Sequence, residues 1–419
     1  MKNKRQVKRI WVILFGVLGL CSGANVGLAA ESILIADTLG SLELVPANNY
    51  SLILQMIEKN SVVLGALKQQ MEAEKMGNKT GIYPNNPSFE FGYFWGDPNT
   101  KDRMDFGVVQ EFDFPSVYAH QKKTADLKDV SAEWKYKSER SSLLLKAQQL
   151  CIEVLYYNAL CDLYQARLKQ AESLFQNYQQ QLDKGQGNII ERNKAQMNML
   201  SVQSEWSRMD MERANRLAEL QGLNGGDRVV LIQKEFPELL LPSNFEQWYG
   251  QAADKNPILK YVESQVLISE EKVKLSAAKS WPTFSAGYKG ENVFNREGYN
   301  GIMIGLSIPL WENKNTIKQA KMERIVAEKF QQDKKMQFYS RLQALFAKAQ
   351  QLQQIVFAYK KSLADWDNLI FLKKALDAGE ISLLVYLQEM EYHFSTMNQY
   401  LEAERDLALA WSELNNFSL

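Results

Sequence analysis

From about Gln121 to Gly185 the chain runs about 65 residues without a proline, and without a glycine until Gly185 itself. Apolar residues recur there at alternating spacings of four and three: Leu143, Ala147, Leu150, Val154, Tyr157, Cys161, Tyr164, Leu168, Ala171, Phe175, Tyr178 and Leu182. A seven-residue repeat of this kind is a helical seam, and its strict period implies a left-handed supercoil against neighbouring helices. Such a helix spans about 100 Å at 1.5 Å per residue, whereas the mean helix of a globular domain has about 11–12 residues. It ends at Leu182-Asp183-Lys184-Gly185-Gln186-Gly187, where Gly185 suits the left-handed position that closes a helix.

The pattern occurs twice. A second proline-free run, 314–379, carries the seam Leu342, Leu345, Ala349, Leu352, Val356, Tyr359, Leu363, Trp366, Ile370. It closes on the matching turn Leu376-Asp377-Ala378-Gly379-Glu380. An internal repeat overrides a domain count taken from length, so 419 residues read as two copies of one unit rather than two or three domains.

Ahead of each long helix the hydrophobic period changes to two. Phe89, Phe91, Tyr93 and Trp95 alternate with Glu90, Gly92 and Phe94, and Gly96-Asp97-Pro98-Asn99 signals a turn. In the returning run Phe106, Val108, Phe112 and Phe114 share one face, against Asp105, Gly107, Val109, Glu111 and Asp113 on the other. The second copy repeats this: Pro282-Thr283-Phe284-Ser285-Ala286-Gly287-Tyr288 matches Pro87-Ser88-Phe89-Glu90-Phe91-Gly92-Tyr93, 195 positions apart. Its returning strand sets Ile302, Ile304, Leu306, Ile308 and Leu310 against Gly301, Met303, Gly305, Ser307 and Pro309.

The order is therefore as follows. Residues 49–226 form the first repeat, with a helix, a β-hairpin at 88–115, the long helix at 121–185 and a helix at 188–222 that Asn188 caps. A linker at 227–256 joins it to the second repeat, 257–419, with a helix, a β-hairpin at 282–310, the long helix at 314–379 and a helix at 382–416. In the first repeat the two short helices end to end match the length of the long one between them; in the second they fall short, so a less regular segment must fill part of that length. Residues 1–30 read as a secretion signal, with Lys2, Lys4, Arg5, Lys8 and Arg9 before an apolar core at Ile10–Leu20 and cleavage expected after Ala29 or Ala30. Lipidation at Cys21 is the alternative, although Leu20 is larger than the residue a lipoprotein signal usually places there. Residues 31–48 form an extended arm.

Composition narrows the function. Removing the five basic residues of the leader leaves 44 Lys+Arg against 49 Asp+Glu, a balance that gives nucleic-acid binding no support. Three Cys and two His argue against a disulfide framework or a His/Cys metal site; Cys151 and Cys161 read as packing residues, His120 and His393 as surface ones. No nucleophile–base spacing, phosphate loop or metal motif appears, so no enzyme and no cofactor is expected. No later stretch has the apolar length of a membrane-spanning helix, which leaves a barrel as the way across a membrane. One chain supplies four strands, and bacterial barrels begin at about eight, so several chains must share a wall. Phe89, Phe91, Tyr93, Trp95, Phe106, Phe112, Ile302, Ile304 and Ile308 then face lipid, and Glu90, Asp105, Glu111, Asp113 and Lys289 a wet lumen.

This duplicated order of helix, hairpin, long helix, glycine turn and helix resembles the TolC family of outer-membrane efflux proteins over nearly the whole mature chain, with the CzcC-like or CusC-like branch nearest. The paired P-x-F-x-x-G-Y and L-D-x-G-[QE] motifs carry it, with Gly107-Val108 and Gly305-Leu306 in the returning strands. The resemblance implies a mainly α fold with a small β part. Three copies would share a 12-stranded transmembrane barrel continuing into a periplasmic helical tube. The implied partners are outer-membrane lipid, a periplasmic membrane-fusion adaptor and an inner-membrane pump, of RND type by preference. Asp183, Lys184, Gly185, Gln186, Asp377, Gly379 and Glu380 map to the periplasmic tip where the adaptor docks. The family's pair of gating aspartates falls here on Val385 and Gln388, so that gate does not carry over; Glu191 matches an acidic position of the first repeat and is the expected gate contact. Small-molecule or metal efflux, and export of proteins by a type I system, share this architecture and stay open. A soluble periplasmic scaffold or adaptor would leave the amphipathic hairpins unexplained.

Overall fold

A computed structural model describes residues 50–97, 100–237, 239–293, 298–364 and 369–418. The leader, the arm at 31–48, Cys21, the turn residues Pro98 and Asn99, and Trp366 lie outside the described residues. In chain order the elements are α1 (Tyr50–Asn60), α2 (Val62–Asn78), β1 (Ser88–Phe94), β2 (Arg103–Phe112), α3 (Pro115–Asp183) and α4 (Ile189–Leu223). They continue with α5 (Phe245–Lys255), α6 (Pro257–Ala278), β3 (Thr283–Val293), β4 (Tyr299–Ser307), α7 (Thr316–Ala364), α8 (Leu369–Asp377) and α9 (Leu383–Leu414).

α3 runs 69 residues and starts at Pro115 rather than near Gln121. Proline at the first helical position loses no hydrogen bond and brings the helical φ with it. Polar contacts along one side of α3 fix the order of its neighbours. Asn78 and Lys75 of α2 meet Asp129 (2.9 Å) and Glu133 (2.8 Å), and Glu58 of α1 meets Arg140 (2.6 Å). Farther down, Arg216 and Arg192 of α4 meet Glu153 (2.7 Å) and Gln179 (2.7 Å). The short helices thus follow one another antiparallel to the long one.

The segment expected as one helix over 49–76 is two. Ser61 adopts extended backbone (φ −64°, ψ 115°) and its hydroxyl accepts from the Leu64 N–H, so the chain stops and restarts there. Next to it, the Asn60 amide donates to Asn224 (3.2 Å) and Asp227 (3.3 Å), seating the end of α1 on the end of α4. Gly225, at φ 70°, passes so close that a Cβ would lie 2.5 Å from the Asn60 carbonyl oxygen.

The second repeat covers α3 from another side. Gln265 of α6 reaches Ser131 (2.6 Å), and from α9 Asn398 reaches Tyr164 (2.8 Å). With neighbours on two sides, α3 buries more than the heptad seam. Ala147, Leu150 and Val154 of the seam are buried, and so are Cys151, Leu155 and Asn158 beside it. His120 is not a free surface residue either: its Nδ1 lies 2.6 Å from the buried Glu271 of α6.

α7 packs against α6 of its own repeat and pairs with α9 through Arg341–Glu413 (2.9 Å) and Tyr359–Gln399 (2.9 Å). Its remaining side leaves Met322, Val326 and Phe330 exposed. Residues 365–368, between α7 and α8, are outside the described residues, so the 314–379 run is seen only as these two pieces. The linker contains α5, whose Phe245 packs on Phe346 of α7 at 5.4 Å between ring centres. Upstream of α5, Asn158 of α3 donates both amide hydrogens, to the carbonyls of Leu231 (2.9 Å) and Gln233 (2.9 Å). The strands form one antiparallel sheet in the order β1-β2-β3-β4.

Candidate functional site

Two places collect the residues singled out in the sequence: the sheet and the glycine turns. In the sheet, cross-strand partners share a face. Phe91 pairs with Phe106, and Phe89 with Val108. Phe106 pairs with Gly290, Val108 with Tyr288 and Phe112 with Phe284. Ala286 pairs with Ile304, and Tyr288 with Ile302. Phe89, Phe91, Tyr93, Phe106, Phe112, Ile302 and Ile304 therefore lie on one face. Phe89, Phe91, Ile302 and Ile304 are 72–84% exposed, so nothing among the described residues covers that face. Trp95 and Ile308 sit just past the ends of β1 and β4 and are also exposed.

The other face carries Glu90, Asp105, Glu111 and Lys289. Asp113, one residue beyond β2, donates its backbone N–H to the Tyr118 hydroxyl (2.9 Å). Two charges missing from the sequence reading join this face, Arg103 and Glu291. The Arg103 Nε is 3.1 Å from Asp105, and its Nη1 is 3.6 Å from Glu291. The spacing i, i+2 from Asp105 and from Lys289 is the signal that could have found both. The face is sparse between these charges, with Gly92, Gly107, Gly287, Gly301 and Gly305 on it. At Gly287 a Cβ would lie 2.7 Å from the Val108 carbonyl oxygen, so no larger residue fits.

The two glycine turns are the same structure. Gly185 (φ 68°) donates to Leu182 O at 2.9 Å and Gln186 to Gln181 O at 2.9 Å. Gly379 (φ 75°) donates to Leu376 O at 3.0 Å and Glu380 to Ala375 O at 2.9 Å. Each is a Schellman closure followed by a capped helix, Asn188 accepting from Ile190 N (2.9 Å) and Ser382 from Val385 N (3.3 Å). The turns lie together: Lys184 and Gln186 of one and Asp377 of the other line a crevice of about 290 Å³ with Tyr178 and Lys373. Beneath it Leu174, Ala195, Leu383, Tyr386, Met390 and Phe394 form a core shared by both repeats. Asp183 accepts from Gln179 (2.8 Å), and Asp377 pairs with Lys373. Burial pushes the Tyr178 phenol up, and the charges of Glu191 and Asp377 push it further, so residues of both repeats act on one ring.

Little else here suggests covalent chemistry. Burial pushes the Cys151 thiol up to about 12, leaving it protonated and unreactive. Among the described residues no group of three or more His, Cys, Asp or Glu could hold a metal, and no helix is long and apolar enough to cross a membrane.

No protein-family profile matches the sequence. The alkaline protease secretion protein AprF of Pseudomonas aeruginosa is 22% identical over 363 residues, covering 79% of this chain and 75% of that protein. Among solved structures, CusC, described in connection with folding and transmembrane channel formation, superposes with a TM-score of 0.72 at 17% identity, covering 88% of this chain and 92% of its own. The outer-membrane channel OprN gives 0.74 at 14% identity, over 88% and 89%. The open state of the Neisseria gonorrhoeae outer-membrane channel MtrE gives 0.72 at 15% identity, over 89% and 88%. Hairpin pairing, duplicated glycine turns and these superpositions agree: the chain has the fold of the TolC-family outer-membrane channels.

Proposed function

We propose that the chain is the outer-membrane channel of a tripartite efflux system in a Gram-negative bacterium. It is a passive exit duct, not an enzyme, for small molecules or metal ions that an inner-membrane pump and a periplasmic adaptor deliver. The observation that carries this reading is the sheet, with one uncovered apolar face, one charged face and edge strands β1 and β4 whose outer edges have no partner among the described residues. Edge N–H and C=O groups cannot stay unpaired in hydrocarbon, so β4 of one copy pairs with β1 of the next. Three copies of the four-stranded sheet close a 12-stranded barrel, above the minimum of about eight. Lipid then takes the face with Phe89, Phe91 and Ile302, and the lumen the face with Glu90, Asp105, Glu111 and Lys289.

The helices support the same closure. Val326 stands 195 positions after Ser131, which is buried against α6. Val326 itself is 52% exposed, and α2 and α4 leave Val62, Met76, Met197 and Met211 exposed. The first repeat of a neighbouring copy fits that vacancy as the second repeat fits α3. The glycine turns then form the far tip of the tube, where the adaptor docks, and Glu191 is a gate contact there. Fractionation tests the reading: the protein stays with the outer membrane until detergent extracts it, as an oligomer that conducts ions in planar bilayers. A monomer that washes off in salt refutes it.

The likeness to AprF, a protease secretion protein, favours a second reading, the exit channel of a type I protein secretion system. A deletion strain separates the two. Loss of metal or drug tolerance supports efflux, and loss of a protein from the medium supports secretion.

A further inference from the structure

Asp105 of β2 and Glu291 of β3 stand directly opposite each other on the charged face. Like charges in that position repel. Arg103, at the start of β2, resolves the conflict. Its Nε lies 3.1 Å from Asp105 Oδ1 and its Nη2 donates to Oδ2 at 3.3 Å, while Nη1 lies 3.6 Å from Glu291. The guanidinium rests on the Phe94 ring, 4.6 Å from its centre, which fixes the fork in place. Lys289 approaches Asp105 from β3 at 4.0 Å. Asp105 is the hub, with its side chain only 14% exposed, while Arg103 at 42% and Lys289 at 52% reach solvent.

The cluster occupies one end of the sheet. Helices join the strands at the other end, so Arg103, Asp105 and Glu291 lie beside the hairpin loops. Register neighbours Gly92, Gly107 and Gly301 have no side chains, so at that level the charged groups share the face with Tyr299 and Phe94. Arg103 and Lys289 are the basic residues of the described strands.

We propose that this four-residue cluster sets the ion preference of the pore at its external end, with Asp105 and Glu291 holding two cations neutral that would otherwise favour anions. The proposal rests on the barrel reading above. Glu90 and Glu111 then leave the lumen with excess negative charge, and each change within the cluster shifts the balance by one charge per protomer. Arg103→Gln raises the preference for K⁺ over Cl⁻. Asp105→Asn lowers it, and Asp105→Asn with Glu291→Gln lowers it further. Each step changes the permeability ratio by about two- to threefold, the scale of a surface potential of about one kT.

The test is the reversal potential of the full-length protein in planar bilayers under a KCl gradient, with K⁺ and Cl⁻ as probes. At about 0.01 M salt, where the screening length is about 30 Å, the order is Arg103→Gln, wild type, Asp105→Asn, double variant; at about 1 M the four converge. Arg103→Lys keeps the charge and the wild-type value, which separates charge from a packing defect. Conducting channels with one shared reversal potential overturn the proposal and leave the barrel intact. A wild-type protein that never conducts removes both.

Discussion

Asn158 offers a direct check on what holds the linker between the repeats to α3. The side chain is buried, and its two amide hydrogens satisfy the carbonyls of Leu231 and Gln233, each at 2.9 Å. A leucine of similar size at 158 leaves both carbonyls without that donor. Each lost hydrogen bond costs about 1–1.5 kcal/mol, so Asn158→Leu favours local opening of the linker by about 2–3 kcal/mol. At 1.4 kcal/mol per tenfold, the open population rises about 30- to 150-fold. Trypsin reads this at Lys234, because cleavage follows the open population when reclosing is faster than cutting. Lys234 also pairs with Asp162, but both side chains are about half exposed, and such a surface pair contributes about 0–1 kcal/mol. Asp162→Asn should therefore accelerate the cut by less than about fivefold. If the two variants are cut at the same rate, or Asn158→Leu at the wild-type rate, the buried amide is not the clamp described here.

Glu271 is almost fully buried where α6 approaches β3. Burial pushes its carboxyl up, but hydrogen bonds from His120 and Lys274 and the charges of Lys274 and Lys123 outweigh that and hold it below the ordinary value of 4.5. The stabilisation is therefore complete above 4.5 and is lost as pH falls through the lowered value. Glu271→Gln should cost about 1–2 kcal/mol at pH 7, discounted for the half-exposed lysines, and the gap in thermal unfolding between variant and wild type should narrow as the medium is acidified below that range. At the first turn, Gly187→Ala should destabilise the tip more than Gly185→Ala. Gly185 meets only the left-handed backbone penalty, about 1 kcal/mol, whereas a Cβ at 187 would lie 2.6 Å from the Leu182 nitrogen. Amide exchange over 174–195 measures both, and equal protection in the two variants would contradict the ranking.

Much of this protein is legible in one dimension because its signals are local. A seven-residue period fixes a long helix, a two-residue period fixes a strand face, and a glycine after Leu-Asp-x closes a helix whatever surrounds it. Hence the duplicated order, the matched glycine turns and the parity of Phe91, Phe106 and Ile304 against Glu90, Asp105 and Lys289 all follow from spacing. What the period could not say is how many neighbours a helix has. Cys151 and Leu155 lie off the seam yet are buried, because α3 takes its own α1, α2 and α4 on one side and α6 and α9 on another. The break at Ser61 is also a tertiary matter, since Asn60 draws α1 onto the end of α4. The bridge from Arg103 to Glu291 joins residues far apart in the chain, and only the pairing of β2 with β3 brings them within reach. Periodicity specifies which face of an element is apolar; the partner that covers it, and the charges that meet across it, exist only once the elements are packed.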